Sequence, residues 1–397
     1  MAAAKRSQVT VAILDGVEGV SSLRDEWQAL YRRSGRELSL SYAWSQAVVS
    51  LYAAPSDRIR TIALRRDAAL VGVLPLITRA ARRAFCHLTP LAEEHSTHSD
   101  WLVAEPSGEI ADALVQGLAA AGVDWDRFRM SRVLEHNALL PHFVTALRRR
   151  GFRCVLRTEA PSYVLRLPHS YAAYLAARSA KCRNHLKRVQ KKIQSRRIDV
   201  AVLVGDGSAS GFTEAFTRML AIERTSWKHA HAWAMYSGSA AGEFWRQVCA
   251  TAWVEGRMHV QFLSVGGRPA AYNLGYVIDD QYSYLKTTFG SEFREVGAAT
   301  FLRARLVEDL IDRGIQLVDC PGEPYQWERQ WTRDVRGHVM LTAFSGTARS
   351  RVLELLERAR HIRHMRRETP APPIGAANRP GSESMTQEAR QLPEAPS

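Results

Sequence analysis

Long apolar runs are missing from this 397-residue chain. A membrane helix needs about 18 consecutive apolar residues, and the longest run, Leu70 to Ile77, is interrupted by Gly72 and Pro75. No bilayer span is expected. Lys5 and Arg6 precede Val9 to Leu14, which is too short for the apolar part of a secretion signal and ends at Asp15. The chain therefore reads as soluble and cytoplasmic. Cysteine is scarce too: Cys86, Cys154, Cys182, Cys249 and Cys320 lie far apart, with neither a disulfide framework nor a metal-ligand spacing. Such usage suits a reducing compartment. No internal repeat stands out.

What is present is a globular balance, 46% hydrophobic and 24% charged, which can bury a sizeable core. The length predicts two domains with short extensions. A formal charge of +14 favours anionic partners, whether nucleic acid, an anionic membrane or a phosphorylated small molecule.

The first half patterns as mixed α/β. Helices are expected at Val20–Arg33, Glu109–Ala121 and Leu139–Arg150, and strands at Arg58–Leu64, Leu70–Ile77, Phe152–Arg157 and Tyr163–Leu167, with Arg66-Asp67-Ala68 as a hairpin turn. From Tyr171 to Arg197 the pattern is one helix with Leu175, Cys182, Leu186, Val189 and Ile193 on its apolar face. Between Arg178 and Arg197 it carries nine Lys or Arg residues and no acid.

Thereafter come a strand (Ile198–Val204), helices at Gly211–Trp227 and Ala241–Val254, and three strands, Met258–Val265, Ala270–Ile278 and Gln281–Thr288. A helix at Ala298–Arg313, a buried-type strand at Ile315–Cys320, a short helix at Pro324–Trp331 and a strand at His338–Phe344 complete the pattern. The expected partition is residues 1–166, 167–346, a basic helix over 347–368, and a disordered tail over 369–397 rich in Pro, Ser, Ala and Gln.

This order, with Arg294-Glu295-Val296-Gly297-Ala298-Ala299 between the third strand and the long helix, resembles the GNAT acetyltransferase superfamily and its Arg/Gln-x-x-Gly-x-Gly/Ala loop. The first amides of a helix lack internal partners and favour anions, and small residues let a diphosphate approach them. Gly267 to Tyr272 and Val318 to Glu323 narrow the resemblance to the BioF2-like or CelD-like acetyltransferase domain, related to the FemAB tandem acyltransferases. It covers about half the chain well, and the first half as a degenerate partner without its own phosphate loop.

The resemblance implies a tandem GNAT-like α/β (α+β) fold, mixed sheets flanked by helices, with acetyl-CoA or another acyl-CoA as co-substrate. Arg294, Gly297, Ala298, Ala299 and Thr300 would hold the diphosphate, and backbone groups around Leu285, Lys286 and Thr287 the pantetheine arm. No metal is implied. The acceptor would be an amine of a sugar, amino acid or polysaccharide precursor. Alternatives are the aminoacyl-tRNA-dependent transfer of FemAB relatives, which would make tRNA a partner, and a non-catalytic accessory role in exopolysaccharide assembly.

Acyl transfer to an amine needs a proton acceptor and a proton for the leaving group. Asp319 and Glu323 are candidates for the first, or salt-bridged and helix-capping carboxylates. Tyr325 is the candidate for the second, although relatives carry a Tyr-Lys pair where Trp327 and Glu328 stand here. Cys320 reads as a nucleophile or a buried structural thiol, the latter favoured because no histidine pairs with it in sequence. His95-x-x-His98-x-Asp100 suggests metal ligands, but an exposed turn is the expectation, with Asp100 able to line a cleft. Trp227, Trp233 and Tyr236 would stack on a substrate or close the core. The basic helix has three readings: a solvated face, an anionic-substrate wall, or a nucleic-acid or membrane contact.

Overall fold

The computed structural model describes residues 8–79, 85–92, 96–121, 125–230, 234–322 and 328–367. In chain order the elements are β1 (Thr10–Asp15), α1 (Gly16–Ser21), α2 (Arg24–Ser34), α3 (Tyr42–Tyr52), β2 (Arg58–Arg66), β3 (Ala69–Thr78), β4 (His87–Pro90), β5 (Leu102–Val103), α4 (Gly108–Ala121), β6 (Arg127–Leu134), α5 (Leu140–Arg149) and β7 (Arg153–Arg166). There follow α6 (Tyr171–Ala176), α7 (Ala180–Gln194), β8 (Ile198–Val204), α8 (Ala209–Thr225), α9 (Ala240–Val254), β9 (Met258–Val265), β10 (Arg268–Ile278), β11 (Gln281–Phe289), α10 (Ala298–Asp312), β12 (Leu317–Cys320), β13 (Val335–Phe344) and α11 (Ala348–Arg367).

The chain divides into residues 1–353, which hold every strand among the described residues, and residues 354–397, whose described part is the later portion of α11. In the first unit the strands form one mixed sheet, ordered β1-β2-β3-β4-β6-β13-β7-β12-β11-β10-β9-β8, with β5 on β3. The β7 strand is its middle: β13 pairs with it from Arg153 to Tyr163 and β12 from Tyr163 to Arg166. Phe152–Arg157 and Tyr163–Leu167, expected as separate strands, are thus continuous, because both neighbours supply ladder partners across the interval.

Local chemistry accounts for the other boundaries. Asp67 and Ala68 take φ of 50° and 65°, and Gly266 and Gly267 φ of 61° and 77°, the left-handed pair that matches a two-residue hairpin to strand twist. The single helix expected over Tyr171–Arg197 is two, because Ser179 turns extended and its hydroxyl accepts the Cys182 amide at 3.2 Å. The Val20–Arg33 helix is likewise split into α1 and α2. Strand β1, helix α3 and strand β6 are elements that the sequence pattern left unassigned.

Both halves of the first unit share one core. Trp27, Tyr31 and Trp44 pack in the same cluster as Phe244, Trp253, Phe262 and Tyr276. Trp44 meets Phe244 edge-on at 4.9 Å, and the Tyr31 and Tyr276 hydroxyls are hydrogen-bonded at 2.8 Å. On the other face of β9 and β10, Leu263, Val265 and Ala271 pack with Ile193, Phe301 and Leu302 from α7 and α10. Each fully buried Leu, Ile or Phe contributes about 1.5–3 kcal/mol by leaving water.

The register shift in β10 at Leu274/Gly275 brings that backbone onto Tyr282, where a Cβ on Gly275 would lie 2.0–2.3 Å from ring carbons and the hydroxyl oxygen. Tyr282 is fully buried and has nowhere to swing. Gly275→Ala should therefore destabilise the fold by about 2 kcal/mol or more, read as a lower midpoint in thermal or urea unfolding.

Candidate active site

Strands β11 and β12 run parallel for only three register pairs, Gln281 with Leu317, Tyr282 with Val318 and Ser283 with Asp319. Beyond Ser283 they part, and β11 runs on to Phe289 with β10 as its strand partner on the other edge. The result is a wedge whose vertex is the Ser283–Asp319 pair and whose edge, without a strand partner among the described residues, is the main chain of Tyr284 to Phe289. Ser226 bridges Gly290 at its far end, and the buried Lys228 ammonium donates to the Thr287 carbonyl at 2.6 Å. Burial, with Lys286 nearby, lowers the Lys228 pKa to about 8; burial also lowers that of Lys286. Trp227 and Tyr236, 41% and 45% exposed, do not close the core; Trp233 lies outside the described residues.

The helix after the wedge, α10, opens at Gly297, which is left-handed at φ 76° and offers no side-chain cap. Ala298 is buried, while Ala299 and Thr300 are half-buried and Arg294 is exposed. The opening is flanked by α7: a Cβ on Gly297 would sit 3.0 Å from Val189, and Lys192 Nζ donates to the Glu295 carbonyl at 2.5 Å. Only glycine combines that φ with that approach. Basic side chains of α7 thus border the start of α10. Arg178, just before α7, is spent on structure, donating to the Trp331 carbonyl and lying over the Tyr174 ring.

A second cluster lies at the vertex. Asp319 is fully buried, and Arg336 donates to its Oδ2 at 2.9 Å. His98 from the first half comes within 3.9 Å of the same oxygen, and within 3.8 Å of Glu37 Oε1. Its ring stacks on His338 at 4.8 Å, and His338 Nε2 is hydrogen-bonded to Ser162 Oγ at 2.9 Å. Arg132, at φ 55°, ties three segments together by donating to the carbonyls of Thr97, Ala160 and Gly322 at 2.8, 3.3 and 2.6 Å.

The electrostatics follow from burial. Asp319 is raised because burial outweighs the nearby charges of His98 and Arg336. For His98 burial is the largest influence and opposes the charge, yet the Glu37 and Asp319 carboxylates together outweigh it and raise the pKa. Burial, and then the neighbouring His98, lowers His338 to about 3, so it stays neutral. Cys320, half-buried, has its thiol pKa pushed far up by burial.

The exposed turn expected at His95-x-x-His98-x-Asp100 is overturned at His98, which is 3% exposed, because a cluster of groups remote in sequence encloses it; His95 lies outside the described residues. A narrow cavity of about 30 Å³ reaches this turn, walled by Trp27, Leu40, Val73 and Leu102 and by the polar His98 and Asp100. Among the sequence-predicted site residues, Asp319 stands at the vertex, Leu285, Lys286 and Thr287 on the wedge edge, and Arg294 to Thr300 at the start of α10. Glu323 and Tyr325 lie outside the described residues. The sequence reading missed Glu37, Lys228 and Arg336, and only the lone acid or base among apolar neighbours could have marked them.

With this geometry in hand, residues 180–329 match the family model described as Acetyltransferase (GNAT) domain, so the chain carries a GNAT-type acetyltransferase domain over that span. Similar solved structures include FemX (TM-score 0.56, 10% identity, covering 84% of this chain and 98% of that one). L-PGS from Bacillus licheniformis is similar at TM-score 0.51 and 10% identity, covering 84% of this chain and 96% of that chain. A conserved protein of unknown function from Bacteroides thetaiotaomicron follows at TM-score 0.50 and 11% identity, covering 85% and 100%. At these identities the likeness is one of fold, a mixed α/β architecture with one large mixed sheet flanked by helices. No curated protein matches the chain in sequence.

Asp100 gives a pH test of the cavity wall. Burial raises its pKa from 3.8 to about 6, although Asp100 Oδ1 accepts from the Trp101 amide and from Asn137 Nδ2, each at 2.7 Å. The native state then holds its proton to higher pH than the unfolded chain, so ionisation costs stability as pH rises from about 4 to 6, by about 3 kcal/mol. Asp100→Asn keeps an oxygen for both bonds and removes that cost. Its melting temperature relative to the wild type should climb between pH 4 and 7, and a constant difference would contradict the assignment.

Proposed function

We propose that the protein is an acyl-CoA-dependent N-acyltransferase acting in the cytoplasm on an amine of a sugar, amino acid or polysaccharide precursor, of the BioF2-like or CelD-like kind. The observation that carries this reading is the wedge between β11 and β12 immediately before the bare helix opening at Gly297, inside the span matched by the family model. The β11 edge beyond Ser283, where no strand pairs with it among the described residues, offers main-chain groups to an amide-bearing pantetheine arm, and α10 offers amides and dipole to a diphosphate.

In this reading backbone groups of Leu285, Lys286 and Thr287 hold the arm. The amides of Ala298, Ala299 and Thr300, with Arg294, hold the diphosphate. Gly297 supports the fit, since any side chain there would fill the cradle against Val189. Bound acyl-CoA supplies a thioester carbonyl. The chain's residues orient it, and the Asp319 carboxylate, with Glu323 as its alternative, takes up a proton from the amine. Tyr325 supplies the proton to the leaving group.

Aminoacyl-tRNA-dependent transfer is the second reading. One observation favours it: Lys181, Lys187, Arg188, Lys191, Arg196 and Arg197 are all exposed on or just after α7.

Calorimetry separates the two. Acetyl-CoA should bind with a micromolar dissociation constant, and Arg294→Glu should weaken it tenfold or more, since a charge-assisted hydrogen bond is worth about 1.5–3 kcal/mol. No heat with acetyl-CoA, together with tRNA binding that collapses between about 50 and 200 mM salt, would transfer the conclusion to the second reading.

A further inference from the structure

The cluster at the wedge vertex has unspent bonding capacity. Both ring nitrogens of His98 and Oδ1 of Asp319 are buried without a hydrogen-bond partner among the described residues. Glu37, His98 and Asp319 each direct one acceptor atom into a space where these atoms lie within 4.8 Å of one another. Buried polar atoms are ordinarily satisfied, so this convergence marks a place for a polar guest.

Charge says which guest. A primary ammonium has three N–H donors, and with hydrogen bonds of about 2.8 Å it holds tetrahedrally placed acceptors about 4.6 Å apart. A zinc ion at about 2.1 Å draws its ligand atoms to about 3.4 Å. His98 Nδ1 stands 3.8 Å from Glu37 Oε1 and 3.9 Å from Asp319 Oδ2, between the two values, so spacing admits either guest and charge decides. Arg336 already neutralises part of Asp319, which leaves the cluster suited to one positive charge rather than two.

We infer that the Glu37–His98–Asp319 triangle is the receiving site for the acceptor's primary amine, assembled from both halves of the chain, and that His98, in place of Asp319, is the catalytic residue that takes the amine's proton. The inference rests on the acyl-transfer reading and names its acceptor side. The amine enters as an ammonium and gives one proton to His98. Its freed lone pair forms the C–N bond at the thioester carbonyl. The C–S bond breaks with its electron pair on sulfur, and the second nitrogen proton passes to the thiolate. The groups facing His98 are Glu37, Asp319, Asp100, Arg132 and His338. The carboxylates among them favour the protonated imidazole, so the rise of kcat/KM with pH should lie above the ordinary histidine value of 6.5.

The test uses the full chain with histidine isotopically labelled, the His98 signals being those absent from His98→Gln. Ethylammonium should shift them saturably and tetramethylammonium should not, and Glu37→Gln and Asp319→Asn should each weaken the effect at least tenfold. With acetyl-CoA and ethylamine, His98→Gln should lower kcat/KM by about 100-fold or more and flatten its pH dependence, with an unchanged circular dichroism spectrum. Ethylammonium binding without any acetyl-CoA binding would keep the amine site and sink the acyl-CoA reading. Acetyl-CoA binding with His98 blind to ethylammonium, a response to zinc chloride in its place, or turnover by His98→Gln equal to wild type would each overturn the inference.

Discussion

The two-sided hydrogen bonding of β7 is the constraint on which the rest of the molecule depends. Its first residues pair with β13 and its last with β12, so a strand from the middle of the sequence fuses the sheet of the first half to that of the second. Because β12 is fixed to β7 on one edge, it cannot follow β11 on the other, and the wedge opens where the shared register ends at Asp319. Pairing through β13 and β6 likewise brings the segment around His98 to the same vertex, where Ser99 bridges Val133.

The two sides of the wedge differ in chemistry because they are built from different material. On the α10 side the groups are backbone amides and exposed cations, suited to an anion that arrives with its own hydration. At the vertex they are buried carboxylates and imidazoles, where a low effective dielectric makes each charge sensitive to its neighbours. Asp319, His98 and Asp100 are all raised there and His338 is lowered, each under the dominant or opposing hand of burial.

Much of the second half was legible because its determinants are local. Strands β8, β9, β10 and β11, helix α10 and the glycine turns follow from alternation, periodicity and caps within a few residues. The glycine-led opening of α10 at Gly297 was readable for the same reason. The vertex was not: His98 looks like a loop histidine until Glu37 and Asp319 arrive from positions remote in the chain. The α6–α7 break hid behind continuous helical periodicity because one serine hydroxyl decides it. The Thr158–Ser162 interval of β7 lacks an apolar alternation, and ladder bonds to β13 rather than side-chain preference keep it extended.

Arg132 carries a consequence for motion. It holds a backbone conformation unusual for a side-chain-bearing residue, and its guanidinium grips carbonyls on either side of the vertex, Thr97 from the first half and Gly322 just beyond β12. A swing of the histidine-bearing turn would drag the end of β12 with it. The turn that bears His98 and the end of β12 are therefore held to move as one piece rather than independently.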